Sequence, residues 1–207
     1  LTPTPAPTDT PTNTPTNTPI PNPAVVCIAP PPAIDGIFNI TEWPGAPTVQ
    51  FAPDGKESQL VQLFFARDAA NLYLAFLIND NTPDSTDSVR VLFDTTNNGG
   101  DPDTADRYFQ VGRDGTAEIS AGIGSNTDTQ TWNAAYTSNN WVAVISSSAA
   151  QWTVEMRIDA NAEMGALTNP FGLMIQVLYT GDITTWPAGA GSTALNTWQK
   201  FDNVVCP

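Results

Sequence analysis

Apolar and polar residues alternate with a period of two along four segments of the chain, and this pattern restricts the possible folds more than any other feature. The segments are 71–80, 87–94, 152–159 and 171–182. In the third of them, Trp152, Val154 and Met156 alternate with polar residues. Since successive side chains of a β-strand point to opposite faces of a sheet, each segment is predicted to be a strand with one buried face.

Further candidate strands follow the same pattern less strictly, with turn residues between them. They span 60–67, 107–112, 116–120, 141–147 and 197–205. Segment 159–166 is predicted to form one helical turn, and the sequence has no long amphipathic helical pattern. Many short strands divided by Gly, Asn and Asp turns are typical of all-β folds. We therefore predict an all-β fold, a jelly-roll-like antiparallel β-sandwich.

Residues 1–24 differ in composition from everything that follows. This segment holds eight of the 19 prolines together with eight threonines, and Leu1 and Ile20 are its only large apolar residues. It cannot bury a core, whereas residues 25–207 suffice for one sandwich domain. Because proline fixes its own φ and extends the residue before it, segment 1–24 is predicted to be an extended, polyproline-like arm.

The threonines of this arm are candidate sites of O-glycosylation, because Thr/Pro-rich stretches form glycosylated stalks. The candidates are Thr2, Thr4, Thr8, Thr10, Thr12, Thr14, Thr16 and Thr18. The alternative interpretation of the arm is a plain disordered linker.

The charge of the chain is sparse and one-sided, with 21 acidic residues against seven basic ones and a net charge of −14. The sequence has no basic stripe, which disfavours nucleic acid and anionic membranes as partners. No apolar run approaches the ~18 residues that a membrane-spanning helix needs. We predict a protein that binds no nucleic acid and has no membrane span.

Two cysteines flank the predicted sandwich, Cys27 near its start and Cys206 near its end. The ends of a domain usually lie near each other, so a disulfide between these residues is geometrically natural. The alternative is two unrelated buried thiols. A disulfide implies an oxidising compartment, which predicts an extracellular protein, secreted or on the cell surface.

Catalytic chemistry has little support in the sequence. The chain has no histidine, which excludes His-based triads and the usual proton shuttle at neutral pH. It also has no nucleophile elbow and no glycine-rich phosphate loop. Glu155 lies in mid-strand on a polar face, where solvation or pairing with an arginine is the commoner role. We predict that the protein is not an enzyme.

Several segments resemble family 9 carbohydrate-binding modules and their DOMON-like relatives. The similar segments are 30–47, which contains IDG and Trp43, then 66–83, 87–111, 152–159 and 170–182. The likeness spans roughly 30–205. It implies a jelly-roll-like sandwich, and in the sugar-binding members of the family aromatic side chains hold the ligand and calcium ions support loops.

An acidic loop follows the predicted strand 87–94. Its candidate metal ligands are Asp94, Asn97, Asp101, Asp103 and Asp106, and two glycines between them permit a tight reversal. Such a loop can supply the carboxylate and carbonyl oxygens that calcium prefers. The resemblance implies calcium as a cofactor here, and the alternative is a solvated acidic turn.

Three tryptophans near turn-rich sequence are candidates for stacking on a sugar ring. They are Trp132, Trp186 and Trp198, of which Trp186 has the most loop-like surroundings. Sugar sites combine exposed aromatic rings with polar groups that fix the orientation of the ligand. Trp152, by contrast, fits the core face of its strand and is predicted to pack there.

The sequence supports two hypotheses for the function, one a structural protein and the other a binding module. The preferred hypothesis is a structural protein, the subunit of a self-assembling, filament-like surface polymer whose arm contacts a neighbouring copy of the chain. It depends on an ordered arm. The alternative hypothesis is a carbohydrate-binding module that binds a glycan, joined by a Thr/Pro linker to a further domain.

Overall fold

Two β-sheets and one short helix make up the part of the chain that the computed structural model describes, residues 22–54, 56–124, 131–165 and 167–207. The strands in chain order are β1 (Val26–Cys27), β2 (Val49–Phe51), β3 (Val61–Arg67), β4 (Asn71–Asn79), β5 (Ser88–Asp94), β6 (Arg107–Gly112), β7 (Ala117–Gly122), β8 (Trp132–Asn133), β9 (Trp141–Ser147), β10 (Gln151–Asp159), β11 (Phe171–Tyr179), β12 (Asp182–Trp186) and β13 (Gln199–Phe201). The helix α1 spans Ala160–Met164, and short 3-10 helices span Glu57–Gln59 and Leu195–Thr197.

The strands pair almost entirely antiparallel. The first sheet has the order β1-β3-β4-β10-β9, with β2 also paired to β3, and the second has the order β12-β11-β5-β6-β7-β8, with β13 also paired to β11. Among the named strands, β1 and β3 are the parallel exception. This arrangement confirms the predicted all-β sandwich.

The core lies between the two sheets and uses the inward residues of each strand. In the first sheet Trp152 pairs with Ile78 and Met156 with Leu74, so the apolar residues of β10 and β4 share one face. All four side chains are buried. This packing confirms the strand and the core position predicted for Trp152. Four phenylalanines join the two sheets, namely Phe65, Phe93, Phe171 and Phe201.

The connection between β1 and β2 crosses the outer face of the first sheet and covers it. Trp43 packs there against Phe64 and Tyr73, which point away from the main core. Apolar residues therefore occur on both faces of β3 and β4, so these strands are buried on both sides rather than on one.

The same connection buries Glu155 completely. Its Oε2 accepts hydrogen bonds from the backbone N–H groups of Asp35 (3.0 Å) and Gly36 (2.8 Å), and its Oε1 accepts one from Nε1 of Trp43 (3.3 Å). The predicted role of Glu155, solvation or pairing with an arginine, is wrong. The strand pattern alone does not reveal that a distant segment covers this face.

The two ends of the domain are tied together. Cys27 and Cys206 form a disulfide with a Cα–Cα distance of 5.5 Å, as predicted. Beside it, Nδ2 of Asn22 donates to Oδ1 of Asp202 at 3.0 Å. The N–H of Asp202 donates to the carbonyl of Pro23, also at 3.0 Å. The threonines predicted to carry glycans, Thr2 to Thr18, lie outside the described residues.

Some element boundaries differ from the predictions. The strand expected over 197–205 is limited to β13, and the loop-like surroundings predicted for Trp186 are wrong, because this residue ends β12. The sequence of β12 has two consecutive threonines and lacks a clear alternation. The helical turn predicted over 159–166 is confirmed as α1, where Asp159 caps the helix by accepting from the N–H of Ala162 at 2.9 Å. Among the described residues no helix has the length and apolar character needed to cross a membrane.

Candidate functional site

Outward-facing side chains of three neighbouring strands form a polar surface on the second sheet. Arg90 of β5 lies opposite Gln110 of β6 on one side and Gln176 of β11 on the other. Its Nε donates to Oε1 of Gln110 at 2.6 Å, and its Nη1 donates to Oε1 of Gln176 at 2.7 Å. The two amide oxygens therefore hold the guanidinium in a fixed position while all three side chains stay half-buried.

One aromatic ring lies beside this arginine, and a second ring lies beside the first. The Cζ atom of Arg90 lies 5.7 Å from the centroid of the Tyr108 ring, and the Tyr108 hydroxyl donates to Oε1 of Gln110 at 2.7 Å. The Trp132 ring lies 5.6 Å from that of Tyr108, and its Nε1 donates to the carbonyl of Ser192 at 3.1 Å. We call this surface the polar platform, formed by Arg90, Tyr108, Gln110, Trp132 and Gln176.

The electrostatics of the polar platform favour a ligand that accepts hydrogen bonds. Within the described residues Arg90 makes no ion pair, and its hydrogen bonds use Nε and Nη1, so Nη2 keeps its donors. Burial raises the pKa of Tyr108 to about 12, and its hydroxyl, which donates its proton to Gln110, can accept a hydrogen bond from a ligand. A fixed donor beside half-buried aromatic rings is the combination that binds polyhydroxylated ligands.

Of the three tryptophans predicted from the sequence, Trp132 and Trp198 meet in one apolar cluster on the second sheet, whereas Trp186 lies elsewhere. Trp132 lies on the polar platform. Trp198 is 6% exposed, its Nε1 donates to the carbonyl of Gly191 at 2.8 Å, and it packs against Leu92 and Met174. Because its ring is covered, Trp198 has no free face for stacking on a sugar. This burial corrects its predicted role.

Trp186 lies on the core side of the second sheet, away from the polar platform. Its ring contacts that of Phe201 edge-on at a centroid distance of 5.7 Å. The exposed part of the Trp186 side chain lines a groove of ≈ 380 Å³ together with Phe51 and Asp182. The groove lies at an edge of the sandwich, where β2 of one sheet approaches β12 of the other.

The acidic loop after β5 closes through its own hydrogen bonds. The two carboxylate oxygens of Asp94 accept from the N–H groups of Asn98 and Gly99, each at 3.2 Å. Asp106 accepts from the N–H groups of Thr95 (3.1 Å) and Asp103 (2.8 Å). Both aspartates are buried, and each of their four oxygens accepts one hydrogen bond from a backbone N–H group.

The remaining candidate ligands of the loop do not complete a metal site. Asp101 is exposed, and Asn97 has a left-handed backbone with φ of 51°. In the described part of the chain no three His, Cys, Asp or Glu side chains are arranged to hold a metal ion. Burial, with the charges of Asp103 and Asp94, raises the pKa of Asp106 to about 6. Calcium binding by this loop stays a prediction.

The sequence interpretation missed most of the polar platform. Arg90, Gln110 and Gln176 are polar residues inside otherwise apolar strands, and each occupies an outward position. That interruption of an apolar run was the available signal. The signal does not show that the three positions are neighbours, because strand order in the sheet is not visible in the sequence.

The two-sheet architecture places this chain in the class of β-sandwich folds. No family sequence model matches the chain, and no curated protein matches it. Among solved structures, a family 9 carbohydrate-binding module from Caldicellulosiruptor kristjanssonii in complex with cellotriose is similar to it. That match has a TM-score of 0.61 and 15% identity, and it covers 87% of this chain and 92% of the other.

Two further structures have the same fold. A family 9 module of the same organism in complex with glucose matches with a TM-score of 0.58 and 15% identity, over 89% of this chain and 96% of the other. A putative carbohydrate-binding protein from Bacteroides uniformis ATCC 8492 matches with a TM-score of 0.50 and 13% identity, over 70% and 78%. The chain therefore has the β-sandwich fold seen in family 9 carbohydrate-binding modules.

Proposed function

We propose that this protein is a non-catalytic, extracellular carbohydrate-binding module that holds a glycan on the polar platform. The observation that carries the proposal is the position of Arg90, fixed between Gln110 and Gln176 and beside the ring of Tyr108. The similar structures hold cellotriose and glucose, which makes neutral glucosides the first ligands to test.

The chemistry of the platform suits a sugar. Hydroxyl groups of a pyranose accept from a guanidinium and exchange hydrogen bonds with amides, while C–H faces of the ring pack on aromatic side chains. Because Arg90 is already held by two amide oxygens, little side-chain entropy is lost when a ligand binds.

The two buried glutamates of the described residues support a role without catalysis. Glu155 is occupied by three donors under the first sheet. Glu163 accepts hydrogen bonds from Arg107, Tyr136 and Ser138. A general acid or base must reach a ligand proton, and both of these groups are committed to holding loops.

The extracellular location is supported by the disulfide, which persists in oxidising compartments. In this proposal the Thr/Pro arm is a spacer of the kind that proline-rich composition favours. The filament hypothesis depends on contacts of the arm, residues 1–24, of which 1–21 lie outside the described part of the chain. No described residue favours it over glycan binding, so it stays a prediction.

The proposal is tested by calorimetry with glucose and cellotriose, extended to a glycan array. We expect binding to at least one glycan and a loss of about tenfold or more in affinity for Arg90→Ala, since hydrogen bonds to a charged group contribute about 1.5–3 kcal/mol. The matched control is Arg157→Ala, which removes an exposed arginine from the first sheet. Absence of binding across the array, or equal affinities for the two variants, would contradict the proposal.

A further inference from the structure

Three charged side chains are buried together at the end of the sandwich where β4 leads into β5. The side chains of Asp80 and Asp87 are 0% exposed and that of Arg113 is 3% exposed. Nη1 of Arg113 donates to Oδ2 of Asp80 at 2.7 Å and to Oδ2 of Asp87 at 3.2 Å. Because both oxygens bond to the same nitrogen, the two carboxyl groups are close neighbours.

One guanidinium cannot neutralise two buried carboxylates. The other donors of Arg113 are directed to Oγ of Ser147 (2.9 Å) and the carbonyl of Ser148 (2.6 Å). In the described part of the chain no second cation pairs with either aspartate. If both aspartates are ionised, the cluster keeps one negative charge away from water, which is costly. A single proton removes that imbalance.

Asp80 accepts three hydrogen bonds from Thr82 and Arg113, and its Oδ2 accepts only one of them. Its Oδ1 accepts from the N–H of Thr82 at 2.9 Å and from the Thr82 hydroxyl at 2.7 Å. Its Oδ2 accepts from Arg113. This pattern of donors stabilises the ionised form, because each donated hydrogen bond is stronger to a carboxylate than to a neutral acid.

Asp87 has a different environment. Its Oδ2 accepts from the N–H of Asp84 at 2.8 Å and from Arg113, but its Oδ1 is buried without any hydrogen-bond partner. A buried acceptor without a partner is unfavourable. When Oδ1 carries a proton it becomes a donor, and the acceptor that the shared Nη1 of Arg113 brings near is the carboxylate of Asp80.

We propose that the folded protein holds a proton on Oδ1 of Asp87, shared with Asp80 under Arg113, at pH values where an exposed aspartate is ionised. The cluster is then a neutral acid, a carboxylate and one cation. Burial raises the pKa of Asp87, and the hydrogen bond and charge of Asp80 raise it further against the opposing N–H of Asp84. The pKa of Asp80 is lowered. Burial acts to raise it, but the hydrogen bonds from Thr82 and Asp87 and the charge of Arg113 together lower it by more.

The proton is placed where it controls how the two sheets are joined. Asp80 and Asp87 lie at the two ends of the connection between β4 of the first sheet and β5 of the second. Arg113 follows β6 of the second sheet, while Ser147 and Ser148 lie at the turn between β9 and β10 of the first. Loss of the proton puts two like charges at this junction, so the sandwich is expected to loosen at this end as pH rises.

Other charged groups nearby have partners of their own. The carboxylate of Asp84 accepts from Thr86 at 2.8 Å, and that of Asp114 accepts from Thr116 at 2.9 Å. The hydroxyl of Tyr179 donates to the carbonyl of Gln59 at 3.2 Å. Asp182, whose charge reaches Tyr179, pairs with Lys56. Among the described residues, none of these four side chains makes a hydrogen bond to the carboxyl oxygens of Asp87.

The experiment compares urea unfolding of the wild-type chain, Asp87→Asn and Asp80→Asn between pH 4 and pH 8. A group whose folded pKa is raised stabilises the fold fully below its unfolded pKa, and that stability is lost as pH rises through the folded pKa. Asparagine at 87 keeps a donor toward Asp80 and does not titrate. We therefore expect the stability of Asp87→Asn to rise relative to that of the wild type as pH rises. For each unit by which folding raises the pKa of Asp87, the unfolding constant of the wild type should increase about tenfold relative to that of the variant.

Asp80→Asn should behave differently, because its amide would place a donor against Thr82 or Arg113. We expect it to be destabilised, with a lower urea midpoint, across the whole range. The matched control Asp114→Asn changes an exposed carboxylate and should follow the wild type. If Asp80→Asn does not fold, a carboxyl ¹³C NMR titration of the wild type still reads the Asp87 midpoint. A normal midpoint, or an Asp87→Asn curve parallel to the wild type, would overturn the proposal.

Discussion

Gly36 and Glu155 are 119 residues apart in sequence and joined by a 2.8 Å hydrogen bond from the backbone N–H of Gly36 to Oε2 of Glu155. This bond fixes the connection between β1 and β2 to the outer face of the first sheet. A buried carboxylate thus serves as an anchor for backbone amides, and the face it occupies cannot be used for binding a ligand.

Glu155→Gln is expected to destabilise the protein by about 1–3 kcal/mol, the usual cost of leaving buried polar groups without partners. Both oxygens of Glu155 accept from N–H donors, so an amide nitrogen at either position faces another donor. The measurement is the free energy of unfolding from urea denaturation. Arg157→Gln, an exposed change on the same strand, serves as the control and should have little effect.

The cost of Glu155→Gln should depend on pH. Burial raises the pKa of Glu155 above its usual 4.5, although the N–H groups of Gly36 and Asp35 oppose the shift. The carboxyl group therefore contributes stability that is present below the usual pKa and is lost as pH rises through the folded pKa. Glutamine does not titrate, so the stability difference between the wild type and Glu155→Gln should be largest at low pH and decrease as pH rises. A difference that grows with pH would contradict this assignment.

Gly36→Ala should destabilise the same anchor. Gly36 has φ of 82°, and a Cβ atom there would lie 2.9 Å from the backbone carbon and oxygen of Ile145. Strain and close contact together are expected to cost at least about 1 kcal/mol. Gly45→Ala is the matched control, because a Cβ at Gly45 meets nothing within 4 Å. Equal melting temperatures for the two variants would show that the segment between β1 and β2 accommodates the added Cβ without loss of stability.

Substitution of two tryptophans separates the polar platform from the groove at the sandwich edge. Trp132→Ala is expected to weaken glycan affinity about tenfold, because it removes one ring beside Tyr108. Trp186→Ala should leave the affinity unchanged, since its ring faces the core side of the sheet. Calorimetry with the glycan identified for the wild type decides this, and the reverse pattern would move the site to the groove.

The acidic loop is tested by chelation. If the loop binds calcium, we expect a higher melting temperature in calcium than in EDTA, because the ion would offset the repulsion among Asp94, Asp103 and Asp106. Differential scanning calorimetry of the chelated and calcium-loaded protein measures the difference. A fall in melting temperature on chelation, lost in Asp101→Asn, would support the calcium prediction made from the sequence.

Reduction of the disulfide should lower the stability of the whole domain. Cys27 and Cys206 close a loop with a sequence separation of 179 residues, for which the chain-entropy estimate is up to about 5 kcal/mol. The hydrogen bonds between Asn22 and Asp202 and between Pro23 and Asp202 keep the ends close after reduction. We expect a lower melting temperature for the Cys27→Ser, Cys206→Ser double variant with retained β-sheet content by circular dichroism.

Most long strands could be predicted from the sequence because burial on one face imposes a period of two on the side chains. This argument succeeds for β10, where Trp152 and Met156 face the core. It fails for β12, whose two consecutive threonines break the pattern, and for strands of two or three residues such as β1 and β8, which are too short to show a period.

Charged and polar positions were harder to interpret. The sequence shows Arg90, Gln110 and Gln176 as isolated polar residues, and Asp80, Asp87 and Arg113 as separate charges in turn regions. Only the pairing of β5 with β6 and β11 brings the first set together. The second set meets because the ends of strands from both sheets converge at one end of the sandwich.

The sequence by itself determined the class of fold, the strand segments with a buried face, and the pairing of the two cysteines. The local alternation of apolar and polar residues shows which face of a strand is buried. It can therefore be interpreted without knowing which strands lie beside it in the sheet. The tertiary structure alone decided that Glu155 is an anchor, that Trp198 is covered, and that Trp132 and Arg90 share one surface. These outcomes depend on strand order and on which distant segment covers each face, and no short stretch of sequence contains that information.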